Sequence, residues 1–196
     1  MTRSAEIHRT TNETDLHLAL DLDGSGGEGE RATGVGFFDH LLDAVARHGS
    51  LGLDVRVEGD LHTGPHHTVE DTGLALGQAL DEALGDREGI RRFGHAIVPM
   101  DEARAGCAID ISGRPLLVFE GAYPAARVAD FDTDLAEEFL RAVASTAKLT
   151  LHLRVETGDN AHHMVEASFK AFARALRVAV QVDPDETGVP STKGVL

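Results

Sequence analysis

One short pattern with the residue types of a metal site occurs twice in this chain. The sequence HHTVE at 66–70 reappears as HHMVE at 162–166. Imidazole nitrogens and carboxylate oxygens bind mid-series divalent metals, and residues three or four apart share one face of a helix. Each glutamate can therefore stand beside a histidine, while neighbouring imidazoles point about 100° apart. The repetition favours two metal ions over the simpler alternative of surface histidines at helix starts.

The pattern lies within a larger duplication. Residues 39–58 align without a gap to 137–156 with nine of twenty positions identical, and a two-residue deletion then brings the histidine pairs into register. Upstream, Glu13 and the segment 21–24 precede Glu102 and the segment 110–113 by a constant 89 residues. The sequence therefore predicts repeat units over 1–90 and 91–182 and a tail over 183–196, all within one compact domain.

Hydrophobic periodicity predicts the same elements in each unit. In unit one we expect strands over 16–22, 30–34 and 51–57 and helices over 37–47 and 68–84. In unit two we expect strands near 96–111, 115–120 and 149–156 and helices over 134–146 and 163–181. The fold class is α+β: an internal duplication of a small unit with one sheet and two helices, the helices packed on one face of each sheet.

Alignment of the two units identifies further candidate ligands. His40 on the first helix aligns with Glu138, and both residue types ligate Mn, Fe or Zn. The candidate metal ligands, grouped by unit, are His40, His66, His67 and Glu70, then Glu138, His162, His163 and Glu166. The alternative for Glu138 is a solvated helix surface, since Glu137 precedes it. Residue types alone do not decide between Mn(II), Fe(II) and Zn(II).

Composition excludes several functions. The net charge of −15 repels nucleic acid and anionic lipid, so neither is an expected partner. Cys107 is the one cysteine, which permits neither an internal disulfide nor a thiolate metal site. The first residues lack the apolar segment of a signal peptide, and no apolar run reaches membrane-spanning length, so we expect a cytoplasmic protein.

A few basic residues suit a phosphate. Arginine binds phosphate in a bidentate manner, and a lysine with a hydroxyl in a Pro/Gly-bounded tail can hold an anion. Each of these residues on its own is better explained as surface charge, but together they suggest a phosphorylated substrate. The basic residues are Arg91, Arg92, Arg114, Lys170 and Lys193, and the hydroxyl is that of Ser191.

These motifs together resemble the monofunctional imidazoleglycerol-phosphate dehydratases. The matching segments are FFDHLLD at 37–43, GPHHTVEDTG at 64–73, RRFG at 91–94, PMDE at 99–102, SGRP at 112–115, NAHHMVEASFKAFARAL at 160–176 and PSTKG at 190–194. They span essentially the whole chain. The resemblance implies repeat units of the ribosomal S5 domain 2-like fold.

The resemblance also implies an activity: dehydration of D-erythro-imidazole-glycerol phosphate to imidazole-acetol phosphate in histidine biosynthesis. Two Mn(II) ions per active site would bind the substrate imidazole as an imidazolate. Glu13 would be the acid/base carboxylate, with Asp101 and Glu102 as supporting or acid/base residues. The expected phosphate contacts are Arg92, Arg114, Lys170, Ser191 and Lys193, with Arg91 less favoured.

The family further implies homo-oligomers, in which trimers assemble into a 24-subunit cage with active sites between subunits. Some members have histidine where this chain has Glu138, so that ligand is less secure than His162. His152, aligned with Asp54, has a structural or supporting role.

Two other functions fit a duplicated histidine cluster. A dinuclear metal hydrolase would use a metal-bound hydroxide and would release inorganic phosphate from simple esters. A metal-storage or metal-sensing cage would need no phosphate grip, so the paired arginines and the PSTKG tail argue against it.

Overall fold

The computed structural model describes residues 2–196 and contains ten strands and four α-helices. The strands are β1 (Ser4–Thr10), β2 (Thr14–Asp21), β3 (Arg31–Ala32), β4 (Gly52–Gly59), β5 (Phe93–Met100), β6 (Ala103–Asp110), β7 (Leu116–Glu120), β8 (Arg127–Val128), β9 (Phe131–Asp132) and β10 (Thr150–Thr157). The helices are α1 (Gly36–Gly49), α2 (His66–Leu84), α3 (Leu135–Thr146) and α4 (Ala161–Ala179). A short 3₁₀ turn, Leu61–Thr63, precedes α2.

Eight of the strands form two sheets of the same design. The first has the order β1-β2-β4-β3 and the second β5-β6-β10-β7, and the last pair in each is parallel while the others are antiparallel. Strands β2 and β6 start 89 residues apart, as the sequence alignment requires. The predicted α+β class with duplicated units is therefore confirmed.

The helices pack between the two sheets, and they pair across the units. Helix α2 packs on β1 and β2, and α4 packs on β5 and β6. Helix α1 of unit one packs against α4 of unit two, while α2 packs against α3. Both units contribute to a single hydrophobic core. Because of this pairing, side chains from one unit lie beside side chains from the other.

Two glycines allow α2 and α3 to approach closely. A Cβ on Gly77 would lie 2.1 Å from Thr146 Oγ1 and 2.5 Å from Val143 O, and one on Gly73 would lie 2.8 Å from Phe139 O. No larger residue fits there without moving a helix. None of the helices in residues 2–196 has the combination of length and apolarity needed to cross a membrane.

The predicted strands and helices differ from the observed ones in four places. The range expected over 96–111 contains two antiparallel strands, β5 and β6. Hydrophobic periodicity does not predict β1, because Ile7 is its one buried residue and the alternating signal is weak. The strand expected over 30–34 shortens to Arg31–Ala32. The short strands β8 and β9 pair with each other outside both sheets, and two-residue strands carry no readable period.

Candidate active site

Both histidine pairs occupy the first turn of a helix. His66 and His67 begin α2, and Asn160 caps α4 by accepting a hydrogen bond from His162 N at 2.9 Å. The rings within each pair are nearly perpendicular, at 89° and 87°, with centroids 5.9 and 6.0 Å apart. The two imidazoles of the first pair contact different carboxylates, His66 that of Glu70 and His67 that of Asp60, so they diverge as the helical spacing predicts.

Three candidate ligands from two units converge beside α1 and α4. His40 Nε2 and His162 Nε2 each lie 3.2 Å from Glu166 Oε2, and donor atoms of the three side chains lie within 4.8 Å of one another. Ligand atoms that each lie about 2.1 Å from one ion stand roughly 3 to 3.5 Å apart. Both histidine-to-glutamate distances in this cluster, His40–His162–Glu166, therefore match the spacing of ligands around one ion.

The second oxygen of Glu166 is held by a lysine. Lys170 Nζ lies 2.6 Å from Glu166 Oε1, and the Glu166 side chain is only 8% exposed. Burial pushes the pKa of Glu166 upward, but the hydrogen bonds from Lys170 and His40 outweigh it and lower the pKa. The carboxylate is thus kept ionised, with one oxygen facing the histidines. A ligand carboxylate that is itself hydrogen-bonded is typical of metal centres.

The cluster lines an open cavity of about 640 Å³. Phe37 contributes one wall, with its ring centroid 4.8 Å from that of His162, and Ala129 and Asp130 contribute another. This cavity has room for a small-molecule ligand beside the three donor atoms.

The corresponding residues on α2 and α3 do not form a second such cluster. His66 Nε2 lies 3.7 Å from Glu70 Oε2, but the Glu138 carboxylate lies 4.0 Å from Arg141 Nε on its own helix. Among residues 2–196, the His40 cluster is the one group of three donors at metal-binding spacing. The alignment left open how the ligands divide between sites. In the described chain His40 of unit one joins His162 and Glu166 of unit two, because the helices pair across units.

His67 is oriented by carboxylates outside the cluster. Its Nδ1 lies 3.1 Å from both oxygens of Asp60, which raises the pKa of His67 and lowers that of Asp60. Its Nε2 lies 3.7 Å from Glu13 Oε1. Sequence reasoning missed Asp60, and its position shortly before the histidine pair was the available signal.

His163 has the equivalent arrangement with Glu102. Its Nδ1 lies 2.8 Å from Glu102 Oε2, and Asn160 N donates to Glu102 Oε1 at 2.9 Å. These hydrogen bonds lower the pKa of Glu102 to about 2, and Glu102 in turn raises the pKa of His163. His163 Nε2 lies 3.8 Å from Asp101 Oδ2.

Glu13 differs from its duplicate Glu102 in one respect. The carboxylate of Glu102 is hydrogen-bonded to a histidine and to backbone N–H groups, whereas within the described chain the carboxylate of Glu13 accepts no hydrogen bond. The Glu13 side chain is 52% exposed. A carboxylate beside a candidate site and without fixed partners is suited to moving a proton.

Four candidate phosphate contacts lie on three segments: the join between units, the turn between β6 and β7, and the tail. Arg92 pairs with Asp110 and donates from Nη1 to Pro190 O at 2.8 Å, while Arg114 Nη2 lies 3.7 Å from Asp110 Oδ2. The tail runs on through Ser191, whose Oγ accepts from Lys193 N at 3.2 Å. Lys170 instead contacts Glu166 and Met100.

The remaining candidates have no contact with the cluster. His152 is exposed on β10, where it lines a separate concavity with His95. Arg91 Nε lies 3.7 Å from Asp183. Cys107 is buried, and burial raises the pKa of its thiol, which agrees with a structural role.

Comparison with known proteins places the whole chain in one group. The sequence model of a family described as imidazoleglycerol-phosphate dehydratase matches residues 33–176. The chain is 56% identical over 195 residues to the imidazoleglycerol-phosphate dehydratase of Gluconacetobacter diazotrophicus, covering 99% of this chain and 98% of the relative. It is 57% identical over 194 residues to that of Symbiobacterium thermophilum, covering 99% and 93%.

Solved structures of two members of this family have the same fold as this chain. The crystal structure of imidazoleglycerol-phosphate dehydratase from Staphylococcus aureus superposes with a TM-score of 0.84 at 39% identity, covering 92% of this chain and 99% of that one. The dehydratase from Pyrococcus furiosus superposes with a TM-score of 0.84 at 38% identity, covering 97% and 100%. The chain therefore belongs to the imidazoleglycerol-phosphate dehydratase family of histidine biosynthesis.

Proposed function

We propose that this chain is a Mn(II)-dependent dehydratase that converts D-erythro-imidazole-glycerol phosphate to imidazole-acetol phosphate. The observation that carries the proposal is the His40–His162–Glu166 cluster, with its donors spaced for one cation in a chain of this family. The direct test is turnover: purified protein with Mn(II) should form the product, followed by its ultraviolet absorbance under alkali. No product from protein with full metal content would contradict the proposal.

The donor set fits a borderline or hard divalent cation. The candidate ligands offer only imidazole nitrogens and carboxylate oxygens, and the one thiol is buried in the core. Two cations per active site would supply Lewis acidity to the substrate's imidazole ring, bound as an imidazolate. His40, His162 and Glu166 would hold one cation. His66, Glu70 and Glu138 would contribute to the other.

The second histidine of each pair supports sharing of sites between chains. In His67 and His163 a carboxylate occupies Nδ1, which leaves Nε2 as the donor for a metal, and neither ring joins the cluster of its own chain. We infer that each completes a metal centre of a neighbouring copy. This is the expected behaviour of a homo-oligomer, built from trimers that assemble into a 24-subunit cage.

Sharing of sites predicts complementation between inactive variants. Chains carrying His162→Asn keep a functional His67, and chains carrying His67→Asn keep an intact cluster. Co-expressed with different tags and purified as mixed oligomers, the pair should recover activity that neither variant has alone. The matched control mixes His162→Asn with Glu166→Gln, because no chain in that mixture has an intact cluster.

Mixed oligomers of the first pair that remain inactive, with both chains present in the same particle, would contradict sharing. Recovery in the control mixture would also contradict it, since each active site would then not need one chain's complete cluster.

The chain's own polar residues account for binding and proton transfer. The free carboxylate of Glu13 lies close to His67 and would remove or return a proton on the bound diol. Arg92 N donates to Ala179 O, at the opposite end of α4 from His162. Arg92 and Arg114, together with the tail residues Ser191 and Lys193, would therefore bind the phosphate of a substrate whose ring is held by a neighbouring copy's cluster. Lys170 would hold Glu166 in its ligating orientation in addition to any phosphate contact.

Lys193→Ala tests the phosphate role. Lys193 has no carboxylate within 4.0 Å in the described chain, so its charge is available to a ligand. Removing a hydrogen bond to a charged group costs about 1.5 to 3 kcal/mol, so we expect KM to rise ~10- to 100-fold with kcat little changed. Lys148→Ala, which loses only an ion pair with Asp81, is the matched control and should leave KM unchanged. A fall in kcat without a change in KM would contradict the assignment.

A dinuclear hydrolase remains the competing enzyme class. It would release inorganic phosphate from the same substrate or from simple phosphate esters, whereas a lyase would not. A phosphate-release assay on the same preparation therefore separates the two activities.

A further inference from the structure

The two units differ most in the segment that precedes the first helix of each. Residues 33–35 join β3 to α1, whereas residues 121–134 join β7 to α3 and contain the β8–β9 hairpin. The longer segment, which we call the 121–134 hairpin, has no counterpart in unit one. It lies beside the His40–His162–Glu166 cluster, where Ala129 and Asp130 line the cavity.

The hairpin supplies a cap that α1 lacks. The first N–H groups of a helix have no partner within the helix, and the residue preceding α1, Val35, offers no side-chain acceptor. Asp130 accepts hydrogen bonds from the first two N–H groups of α1: Gly36 N donates to Oδ2 at 2.6 Å and Phe37 N donates to Oδ1 at 3.0 Å. A carboxylate at this position also interacts favourably with the helix dipole. A residue of unit two thus fixes the start of a unit-one helix, one turn before His40.

The hairpin also anchors α1 through an aromatic contact. Phe131 is fully buried, stacked on Phe38 and edge-on to Phe37, with both centroid distances 5.9 Å. Phe37 in turn packs against the ring of His162. Ala129 adopts a positive φ of 51° at the hairpin turn. A non-glycine residue in this conformation costs free energy, which the surrounding contacts must offset.

The related centre has no such support and is less well assembled. Unit one's joining segment spans three residues, too few to form a hairpin. In the described residues Glu138 does not form a group of three donors with His66 and Glu70, and its carboxylate lies 4.0 Å from Arg141 Nε. Within residues 2–196, the hairpin is therefore found beside the one group of three donors whose atoms lie within 4.8 Å of one another.

We propose that the 121–134 hairpin makes the two metal centres unequal, by preorganising the His40–His162–Glu166 centre so that it fills first and holds its cation more tightly. This inference rests on the proposed function, since it presumes the two metal centres. Asp130 acts as a positioning residue through α1 and does not itself need to touch the cation. Preorganised donors bind more tightly because less conformational freedom is lost on binding.

The test is a titration of metal-depleted protein with Mn²⁺ alone, followed by the electron paramagnetic resonance signal of free Mn²⁺. Wild-type protein should take up Mn²⁺ in two phases. Glu166→Gln should remove the tight phase and Glu70→Gln the weak one, which assigns each phase to a centre. Size-exclusion mass, measured for each variant at the same protein concentration, reports any change in assembly separately.

Asp130→Ala should weaken the tight phase roughly 5-fold, within the ~2- to 30-fold range that the loss of a helix cap produces, and leave the weak phase in place. Asp130→Asn should bind Mn²⁺ with an affinity between those of Asp130→Ala and the wild type, because the amide oxygen can accept only one of the two N–H bonds. Asp134→Ala is the matched control: Asp134 stands at the start of α3 but makes no capping hydrogen bond, so neither phase should move.

The inference would be overturned if Asp130→Ala changed the Mn²⁺ affinity of both phases equally, changed that of the weak phase alone, or changed neither. A tight phase that persists in the Glu166→Gln variant would also overturn it. An Asp130→Asn variant as weak as Asp130→Ala would overturn the capping role. If wild-type protein bound no Mn²⁺ at all, the proposed metal dependence would be wrong as well. If uptake had two phases that did not change in Asp130→Ala, only the present inference would be wrong.

Discussion

Replacing Glu13 with glutamine should abolish turnover while leaving the metal content unchanged. A general acid/base group contributes about 10²- to 10⁴-fold, so kcat should fall by at least ~10²-fold. Glutamine keeps the shape of the side chain but cannot exchange a proton. Because the Glu13 carboxylate has no hydrogen bond to a described residue and lies 3.7 Å from His67 Nε2, its loss should disturb neither the fold nor the histidine.

Metal analysis and steady-state kinetics on the same preparation check this expectation. Asp15→Asn is the matched control, since it removes one charge two residues away on β2, where the carboxylate bonds to Thr10. That variant should keep wild-type kcat. If Glu13→Gln loses metal along with activity, Glu13 is a ligand and not the proton-transfer group.

Glu102, the duplicate of Glu13, should affect metal binding when it is replaced. Glu102→Gln removes the carboxylate that binds His163 Nδ1 at 2.8 Å. Loss of such a supporting partner lowers metal affinity ~10- to 100-fold. Glu13 and Glu102 occupy equivalent positions in the two units, so the contrast compares a proton-transfer role with a positioning role.

Glu166→Gln should remove one of two metal ions per chain and with it the activity. Glu166 Oε2 is the atom shared by His40 and His162 at 3.2 Å, and a neutral amide oxygen is a poorer ligand than a carboxylate. Lys170 also loses the anion that balances its charge. A metal acting as Lewis acid contributes several kcal/mol, so we expect the rate to fall ~10³-fold or more.

Elemental analysis after dialysis against Mn²⁺ measures the content directly. Glu70→Gln is the matched comparison, since it removes the equivalent carboxylate on α2, and it should release the other ion. Full metal content in Glu166→Gln would contradict the assignment of this cluster as a metal centre, whatever the activity.

The sequence alone predicted the duplicated α+β units and the four helices. Alternating leucines at 16, 18 and 20 predict β2, and all three are buried. The helical spacing of the histidine pairs predicts their divergence, and in the first pair His66 lies beside Glu70 while His67 lies beside Asp60. These features depend on local periodicity, so they can be read from neighbouring residues.

The cross-unit arrangement could not be predicted in the same way. Whether His40 stands beside His66 or beside His162 depends on which helices pair, and that choice is made by tertiary contacts such as the close approach of Gly77 to Thr146. The role of Asp130 could not be predicted from the sequence either, because it caps a helix that begins far upstream. The alignment of the units does not identify Asp60, because the carboxylate with the same role in unit two, Glu102, aligns with Glu13 and not with Asp60.

The most direct test of the account is the position of a bound cation. Crystals of the full chain grown with Mn²⁺ should show an anomalous difference peak within coordination distance of His40 Nε2, His162 Nε2 and Glu166 Oε2. A second peak should lie beside His66 and Glu70. If the anomalous map is empty between α1 and α4 while Mn²⁺ saturates the protein in solution, the central claim is wrong.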